Sequence, residues 1–120
     1  MPIPLYRVKA DFFRVLGHPV RIRVLELLCA GPKPVRDLLA DTEIESLAVS
    51  ASSLSQQLAV LRRYGIVTTA RHAGSVVYML AGPDVSDLMM AARRILTEMR
   101  ACEHDSLEQV GVAGYSYSRH

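Results

Sequence analysis

Proline and glycine divide the first half of this chain into short helical segments. Apolar residues recur at helical spacing in LYRVKADFFRVL, residues 5–16. GHP at 17–19 then ends this helix and opens the next, because proline fits a first turn where its missing N–H loses no hydrogen bond. AGP at 30–32 stops the second helix, and Pro34 opens a third over VRDLLA. The pattern predicts three short helices in succession.

The middle of the chain combines a fourth helix with a β-hairpin. In SASSLSQQLAVLRRYGIV, residues 50–67, the leucines recur at helical spacing, with Ser50 or Ser52 as the N-cap and Gly65 as the C-cap. The runs IVTTA and VVYML are rich in β-branched residues and flank RHAGS. This arrangement predicts a strand, a short loop containing Gly74 and a returning strand.

The remaining segments complete the predicted fold. Residues 41–49 are predicted to be irregular, with room for a further turn, and a long final helix is predicted from about Asp84 to about Cys102. The order helix, helix, helix, helix, strand, strand, helix is mainly α with a small β-hairpin, which is the order of a winged helix-turn-helix domain. We expect this domain over residues 1–105 and a flexible tail over 106–120, which is rich in Ser, Gly and Tyr.

Charge is distributed unevenly along the chain. The formal net charge is only +2, but the segment from Ser46 to Pro83 has no Asp or Glu and carries Arg62, Arg63 and Arg71. A surface that approaches phosphates must be free of negative charge. The distribution therefore favours a nucleic-acid-binding function for the central segment.

The polar face of the predicted fourth helix has the composition of a DNA-reading surface. With the leucines inward, Ser52, Gln56 and Arg63 point away from the core, flanked by Ser53, Ser55 and Arg62. Small side chains let a helix approach base edges in the major groove, and Gln can form a bidentate contact with adenine. The arginines near the helix end can reach the phosphate backbone. Around the predicted wing tip, the hydrogen-bond donors are Arg71, His72 and Ser75.

Several other classes of protein are disfavoured. No Ser-His-Asp set, paired acids, Gly-rich phosphate loop or full metal motif is readable, so an enzyme is not expected. The chain lacks a signal-peptide pattern and a run long enough to span a membrane, and its two cysteines are too few for a disulfide framework. These features predict a cytoplasmic location.

The chain resembles the ArsR/SmtB family of bacterial winged-helix repressors. The resemblance covers roughly residues 8–100 through LGHPVRIRVLELL, PVRDLLA, SASSLSQQLAVLRRYGIV and the hairpin ending in VVYML. It implies a homodimer that binds a palindromic operator and responds to an inducer. It also implies DNA contacts from the helix residues Ser53, Ser55, Gln56 and Gln57, and from the wing residues Arg71 and His72.

The resemblance implies that the first and last helices form the dimer interface. These helices carry the apolar residues Leu5, Val8, Phe12, Val85, Leu88, Met89, Ala92, Ile95, Leu96 and Met99.

The chain departs from this family in its sensor sites and in one linker. The linker around 43–46 is about four residues longer than usual. PVRDLLADT has no Cys or His where metal sensors carry a cysteine cluster, and the last-helix metal positions fall on Gly82, Asp84, Ile95 and Glu98, which include no His. Cys29 and Cys102 are offset from the positions of the thiol sensors, and Cys29 is expected to be a small buried apolar side chain.

One cluster retains donor types suited to a divalent transition metal. Cys102, Glu103 and His104 offer sulfur, oxygen and nitrogen, although a polar helix end is the favoured interpretation.

The sequence predicts a sequence-specific, DNA-binding transcriptional regulator, with repression preferred to activation. Two alternatives stay open. One is a regulator that senses a transition metal or a thiol oxidant through a non-standard site. The other is a winged-helix protein-interaction module, which would show no salt-dependent affinity for DNA. The main prediction itself leaves open whether the regulator works with an accessory protein.

Overall fold

A computed structural model describes the backbone of residues 2–110 and the side chains of residues 2–102. The elements, in chain order, are α1 (Leu5–Leu16), α2 (Pro19–Leu28), β1 (Lys33–Pro34), α3 (Val35–Leu39), α4 (Thr42–Ser46), α5 (Ala51–Arg63), β2 (Val67–His72), β3 (Ser75–Leu80) and α6 (Pro83–Val110). The described residues fall into two compact units that divide between Ser86 and Asp87. The mainly helical fold with a small sheet confirms the predicted fold class.

The hydrophobic core of the first unit joins its helices to the base of the hairpin. Helix α2 contacts α5 and β3, and α5 contacts β2. Burial of these apolar side chains is the main favourable contribution to folding. The buried residues are Val15, Leu16, Val20, Val24, Leu25, Leu28, Leu38, Ile44, Leu54, Leu58, Leu61, Ile66 and Val67.

Helix α2 begins at the predicted proline and is capped by a histidine. Pro19 occupies the first turn, and the Nδ1 atom of His18 accepts a hydrogen bond from the Val20 N–H at 3.2 Å. Burial lowers the pKa of His18, and the charge of Arg21 lowers it further. Because Nδ1 must be unprotonated to accept this bond, the cap holds His18 in its neutral form.

We expect the stability of the protein to fall as the pH drops below the ordinary His pKa of about 6.5. The pKa of His18 is lower in the folded state, so the unfolded chain binds more protons in this window and unfolding becomes easier. Asn is an equally good N-cap that does not titrate. Thermal unfolding at pH 7.5 and 5.5 should therefore show a smaller loss of stability for His18→Asn than for the parent protein. Equal losses in the two proteins would contradict this assignment.

The sheet contains a strand that the sequence does not predict. Its order is β1-β3-β2 and it is antiparallel throughout. Strand β1 pairs Lys33 with Tyr78 and Pro34 with Val77. A pairing of two residues is too short to produce an alternating pattern, so it becomes visible only when β3 lies beside it.

The segment between α3 and α5 is more regular than predicted, because the linker around 43–46 forms helix α4. Asp41 caps this helix by accepting a hydrogen bond from the Ile44 N–H at 3.0 Å. The same carboxylate binds Arg23 of α2 in a bidentate pair, with both N–O distances at 3.0 Å. Ile44 is fully buried beneath α4. The longer linker is therefore attached to the rest of the first unit in two ways, by the ion pair of Asp41 with Arg23 and by the buried side chain of Ile44.

Two substitutions at Asp41 should separate the cap of α4 from the ion pair. Arg23 holds the pKa of Asp41 below its usual value, so the pair is fully charged at neutral pH and weakens only in strong acid. Asp41→Asn keeps a good N-cap but loses the charge, whereas Asp41→Ala loses both. We expect Asp41→Ala to be the less stable by about 1 kcal/mol, the usual value of an N-cap, in urea unfolding. Equal stabilities would show that the cap contributes nothing.

The last helix is longer than predicted. It continues to Val110, beyond the expected end near Cys102 and into the segment predicted to be a flexible tail. Residues 106–110 are therefore helical, and residues 111–120 lie outside the described part of the chain. The polar run after Cys102 has good helix formers such as Glu and Leu, which explains the continuation. Among the described residues, no helix is long and apolar enough to cross a membrane.

Candidate nucleic-acid interface

Helix α5 separates an apolar face from a polar one, as the leucine spacing predicts. Leu54, Leu58 and Leu61 are fully buried. On the other side, the exposed residues are Ala51, Ser52, Ser55, Gln56, Ala59, Arg62 and Arg63. This outward surface, which we call the α5 face, has no acidic residue and no side chain bulkier than Gln before its final turn. Its shape allows close approach to a groove.

Both ends of α5 are fixed by local hydrogen bonds. Ser50 is the N-cap, and its hydroxyl accepts a hydrogen bond from the Ser53 N–H at 3.1 Å and lies 3.2 Å from the Ser52 hydroxyl. At the other end, the cap residue is Tyr64, and Gly65 follows with a φ of +75°. Glycine adopts this left-handed conformation without strain, so Gly65 follows the cap, and the observed cap lies one residue before the predicted one.

Gln57 differs from its neighbours on α5. It is half-buried, and its Oε1 atom accepts a hydrogen bond of 2.7 Å from the Nε of Arg21 on α2. Ser53 is also half-buried, whereas Gln56 is exposed. No local sequence pattern indicates the contact with Arg21, because the two residues are distant in the chain. Only the packing of α2 against α5 brings them together.

The arginines of α5 and of the wing form no ion pair with another described residue. Arg62, Arg63 and Arg71 are all exposed. Within the part of the chain that the structure describes, the ion pairs involve other arginines, such as Arg14 with Asp11 and Arg23 with Asp41. The absence of acids from 46 to 83 explains this difference. The three guanidinium groups are free to meet an external anion.

The hairpin has a tighter turn than predicted. Strands β2 and β3 extend to His72 and from Ser75, so the loop is only Ala73-Gly74. Both loop residues have positive φ, +50° and +81°, as in a type I′ turn. His72 pairs with Ser75, and Arg71 pairs with Val76. Because side chains alternate along a strand, Arg71 and His72 start on opposite faces of the wing and not together at its tip.

An open cleft of about 550 Å³ adjoins the wing. Arg71, His72 and Ser75 all border it, together with Arg36 of α3. Thus the predicted wing residues do lie around one concave surface, although they approach it from different faces of the hairpin. The lining also includes Asp37, whose carboxylate lies 3.9 Å from Nε of Arg36, and the apolar side chains of Val77 and Met79.

The comparisons with known proteins agree with this geometry. The model for bacterial regulatory proteins of the arsR family matches residues 18–69. An uncharacterized HTH-type transcriptional regulator of Mycobacterium tuberculosis, Rv0081, is 40% identical over 92% of this chain and 94% of its own length. This chain belongs to the arsR family. The biofilm growth-associated repressor of Agrobacterium fabrum is 34% identical over 76% of this chain and 77% of its own length.

The fold of this arsR-family chain is also similar to solved structures. The crystal structure of Mycobacterium tuberculosis Rv0081 is similar with a TM-score of 0.73 and 41% identity, covering 83% of this chain and 96% of that one. The repressor BigR from Xylella fastidiosa has a TM-score of 0.63 and 31% identity, covering 75% of this chain and 87% of that one. The chain is a DNA-binding transcriptional regulator and not an enzyme, which confirms the predicted function class.

Of the three candidate metal-binding residues of this arsR-family chain, the structure describes the side chain of one, Cys102. Cys102 is exposed, and the side chains of Glu103 and His104 lie outside the described residues. Within residues 2–102, no group of three or more His, Cys, Asp or Glu side chains could hold a metal ion. Both interpretations of Cys102, Glu103 and His104, the favoured polar helix end and the metal site, therefore stay untested by the described residues.

Cys29 is exposed, so the expectation that it is a small buried side chain is wrong. It is the C-cap residue of α2, so it lies just beyond the last helical residue, Leu28, which is buried.

The residues predicted to form the dimer interface are unevenly exposed. On α1, Leu5 is 66% and Val8 47% exposed, while Phe12 is half-buried. On α6, Ile95 is 57% exposed, and Leu96 and Met99 are also exposed. The remaining residues of the α6 stripe are half-buried, namely Val85, Leu88, Met89 and Ala92. Each helix thus leaves apolar surface in contact with solvent in a single chain.

Proposed function

We propose that this chain is a homodimeric repressor that binds a palindromic operator through the α5 face of each subunit. The observation that carries the proposal is the α5 face itself, which is exposed, small in side-chain volume and free of acidic residues. An α-helix with such a surface fits the major groove of B-DNA. Some of its relatives are repressors, such as the biofilm growth-associated repressor of Agrobacterium fabrum, and this supports repression as the effect of DNA binding.

Within α5, we assign separate roles to the middle of the helix and to each of its two ends. Gln56 and Ser55 lie in the middle of the helix and face outward, so they contact base edges. Ser52 and Ser53 are at the N-terminal end, where their hydroxyl groups and the positive end of the helix dipole favour a phosphate. Arg62 and Arg63, in the last turn, contact the flanking phosphates.

The wing adds contacts outside the major groove. Arg71 is exposed, and it forms no ion pair within the described residues. It therefore contacts a phosphate or enters the minor groove, with His72 and Ser75 as neighbouring donors.

Two copies of the chain associate through α1 and α6. The exposed apolar side chains of these helices include Leu5, Val8, Ile95 and Leu96. Apolar area of this kind is removed from water when a second copy covers it. A twofold dimer presents two α5 helices to half-sites that are about one helical turn of DNA apart, which makes the operator palindromic.

The test of the α5 assignment compares operator with random DNA. The operator is first obtained by selection from a library of random duplexes with the parent protein. We expect Gln56→Ala to reduce the preference for operator over a shuffled duplex by about 1–3 kcal/mol per half-site, the usual cost of a lost bidentate contact. Ser55→Ala should also reduce it, by less.

The control for this test is Thr97→Ala, at an exposed polar residue of α6. Fluorescence anisotropy titrations on both duplexes measure the preference, and circular dichroism shows that each variant is folded. If the preference of Gln56→Ala and Ser55→Ala equals that of Thr97→Ala, α5 is not the recognition helix.

A further inference from the structure

Arg21 connects three elements through one guanidinium group. Its Nε donates to Oε1 of Gln57 on α5 at 2.7 Å, and one of its terminal nitrogens donates to the Val15 carbonyl of α1 at 3.0 Å. Arg21 and Gln57 are both half-buried, and Val15 is buried. Because the guanidinium is planar, fixing it at two points also fixes the direction in which Nε points.

The chemistry of this contact determines which end of the Gln57 amide faces outward. A guanidinium has only donors, so the atom that it meets on Gln57 must be the oxygen. The amide NH₂ is then the part of Gln57 left for another partner. Gln56 is different, because it is exposed and the structure gives it no side-chain hydrogen bond within the described residues. Gln56 keeps both its donor and its acceptor.

We propose that Arg21 is a positioning residue that makes Gln57 a donor-only reader of DNA bases. This inference rests on the proposed function, since it assumes that α5 enters the major groove. A bidentate contact with adenine requires a Gln to donate to N7 and to accept from N6. Because its oxygen is directed toward Arg21 on α2, Gln57 offers DNA its amide NH₂. It therefore favours a base whose major-groove edge offers acceptors, guanine with N7 and O6 or thymine with O4, over adenine, whose N6 amino group it would leave without a partner.

The inference predicts opposite changes of base preference for two substitutions. Arg21→Met keeps a long apolar side chain but releases the oxygen of Gln57, so the selected base at the Gln57 position should shift toward adenine. Gln57→Glu keeps an oxygen for Arg21 but has no donor, so its selected base should shift toward cytosine, whose N4 amino group donates to carboxylates. If the contact only stabilised the fold, Arg21→Met would leave the selected base unchanged, and only Gln57→Glu would alter it.

The experiment selects binding sites from one library of random duplexes with each folded, dimeric variant and sequences the bound DNA. Gln57→Ala first identifies the position that Gln57 reads, as the position where preference is lost. We expect guanine or thymine there for the parent, adenine for Arg21→Met and cytosine for Gln57→Glu. The base selected by the parent protein provides a result even if Arg21→Met does not fold, because a Gln that is not held by Arg21 would select adenine. The matched control is Gln56→Ala, which should alter a different position.

Two outcomes would overturn the inference. One is adenine at the Gln57 position in sites selected by the parent protein. The other is an unchanged base at that position with a folded Arg21→Met variant. If Arg21→Met is unfolded, the parent's choice between adenine and guanine or thymine decides alone. In either case, if Gln56→Ala still changes the selected site, α5 remains the recognition helix and only the role of Arg21 fails. If neither Gln56→Ala nor Gln57→Ala changes the selected site, the proposed function of α5 fails instead.

Discussion

Replacing Ile95 with glutamate is expected to dissociate the homodimer and to remove most of its affinity for the operator. Ile95 is 57% exposed in a single chain and lies on α6. Glu is a good helix former, so the substitution leaves the isolated chain folded. In the proposed dimer it would bury a carboxylate from each subunit without a partner, at a cost of several kcal/mol per charge. Each 1.4 kcal/mol is tenfold in an equilibrium constant, so the expected loss of operator affinity is about 100-fold or more.

The measurement for Ile95→Glu uses sedimentation and DNA titration together. Sedimentation at micromolar concentration should give a dimer for the parent and a monomer for the variant, with unchanged helical content by circular dichroism. The matched control is Thr97→Glu, which adds the same charge to the same helix two residues away, on a different side. A dimeric Ile95→Glu variant, or a monomeric parent protein, would rule out the proposed interface.

Replacing Arg71 with alanine is expected to weaken binding to all DNA sequences by similar factors. Arg71 is on the outer part of the wing, without an acidic partner among the described residues. Contacts with phosphates position a protein without reading sequence. The loss of one phosphate contact lowers the slope of log affinity against log salt by about one unit, and the dimer has two copies of Arg71. The slope should therefore fall by about two units.

Titrations across salt concentration, on operator and on a shuffled duplex, measure this effect. The control is Arg14→Ala, which removes an exposed arginine that already pairs with Asp11 at 2.9 Å. An unchanged slope for Arg71→Ala would remove the wing from the interface. A loss confined to the operator would show instead that Arg71 reads groove shape or sequence.

The face of α5 was predictable because its causes are local. Leu54, Leu58 and Leu61 recur at the helical period, and this spacing alone determines that Gln56 and Ser55 point outward. The same holds for the cap at His18 and Pro19 and for the glycine after α5. The absence of acids from 46 to 83 needs no structure to be recognised, and the family resemblance followed from these segments together.

Other features depended on contacts between residues far apart in the chain. Strand β1 exists because β3 offers free backbone groups beside Lys33 and Pro34. Helix α4 is held by the pair between Arg23 and Asp41, which the linker sequence does not reveal. Within the hairpin, the sequence placed Arg71 and His72 together in a loop, but the two-residue turn leaves both in β2 and sends them to opposite faces.

The sequence by itself determined the fold class, the family and the helix that faces outward, because periodicity, capping and charge act between neighbours along the chain. Only the tertiary structure decided how individual polar groups are used. Gln56 and Gln57 are adjacent and chemically identical, yet Arg21 holds the oxygen of one and not of the other. That difference arises from the packing of α2 against α5, which brings Arg21 within hydrogen-bonding distance of Gln57. A hydrogen bond depends on the distance and angle between its two partners, and for residues far apart in the chain only the tertiary structure determines these.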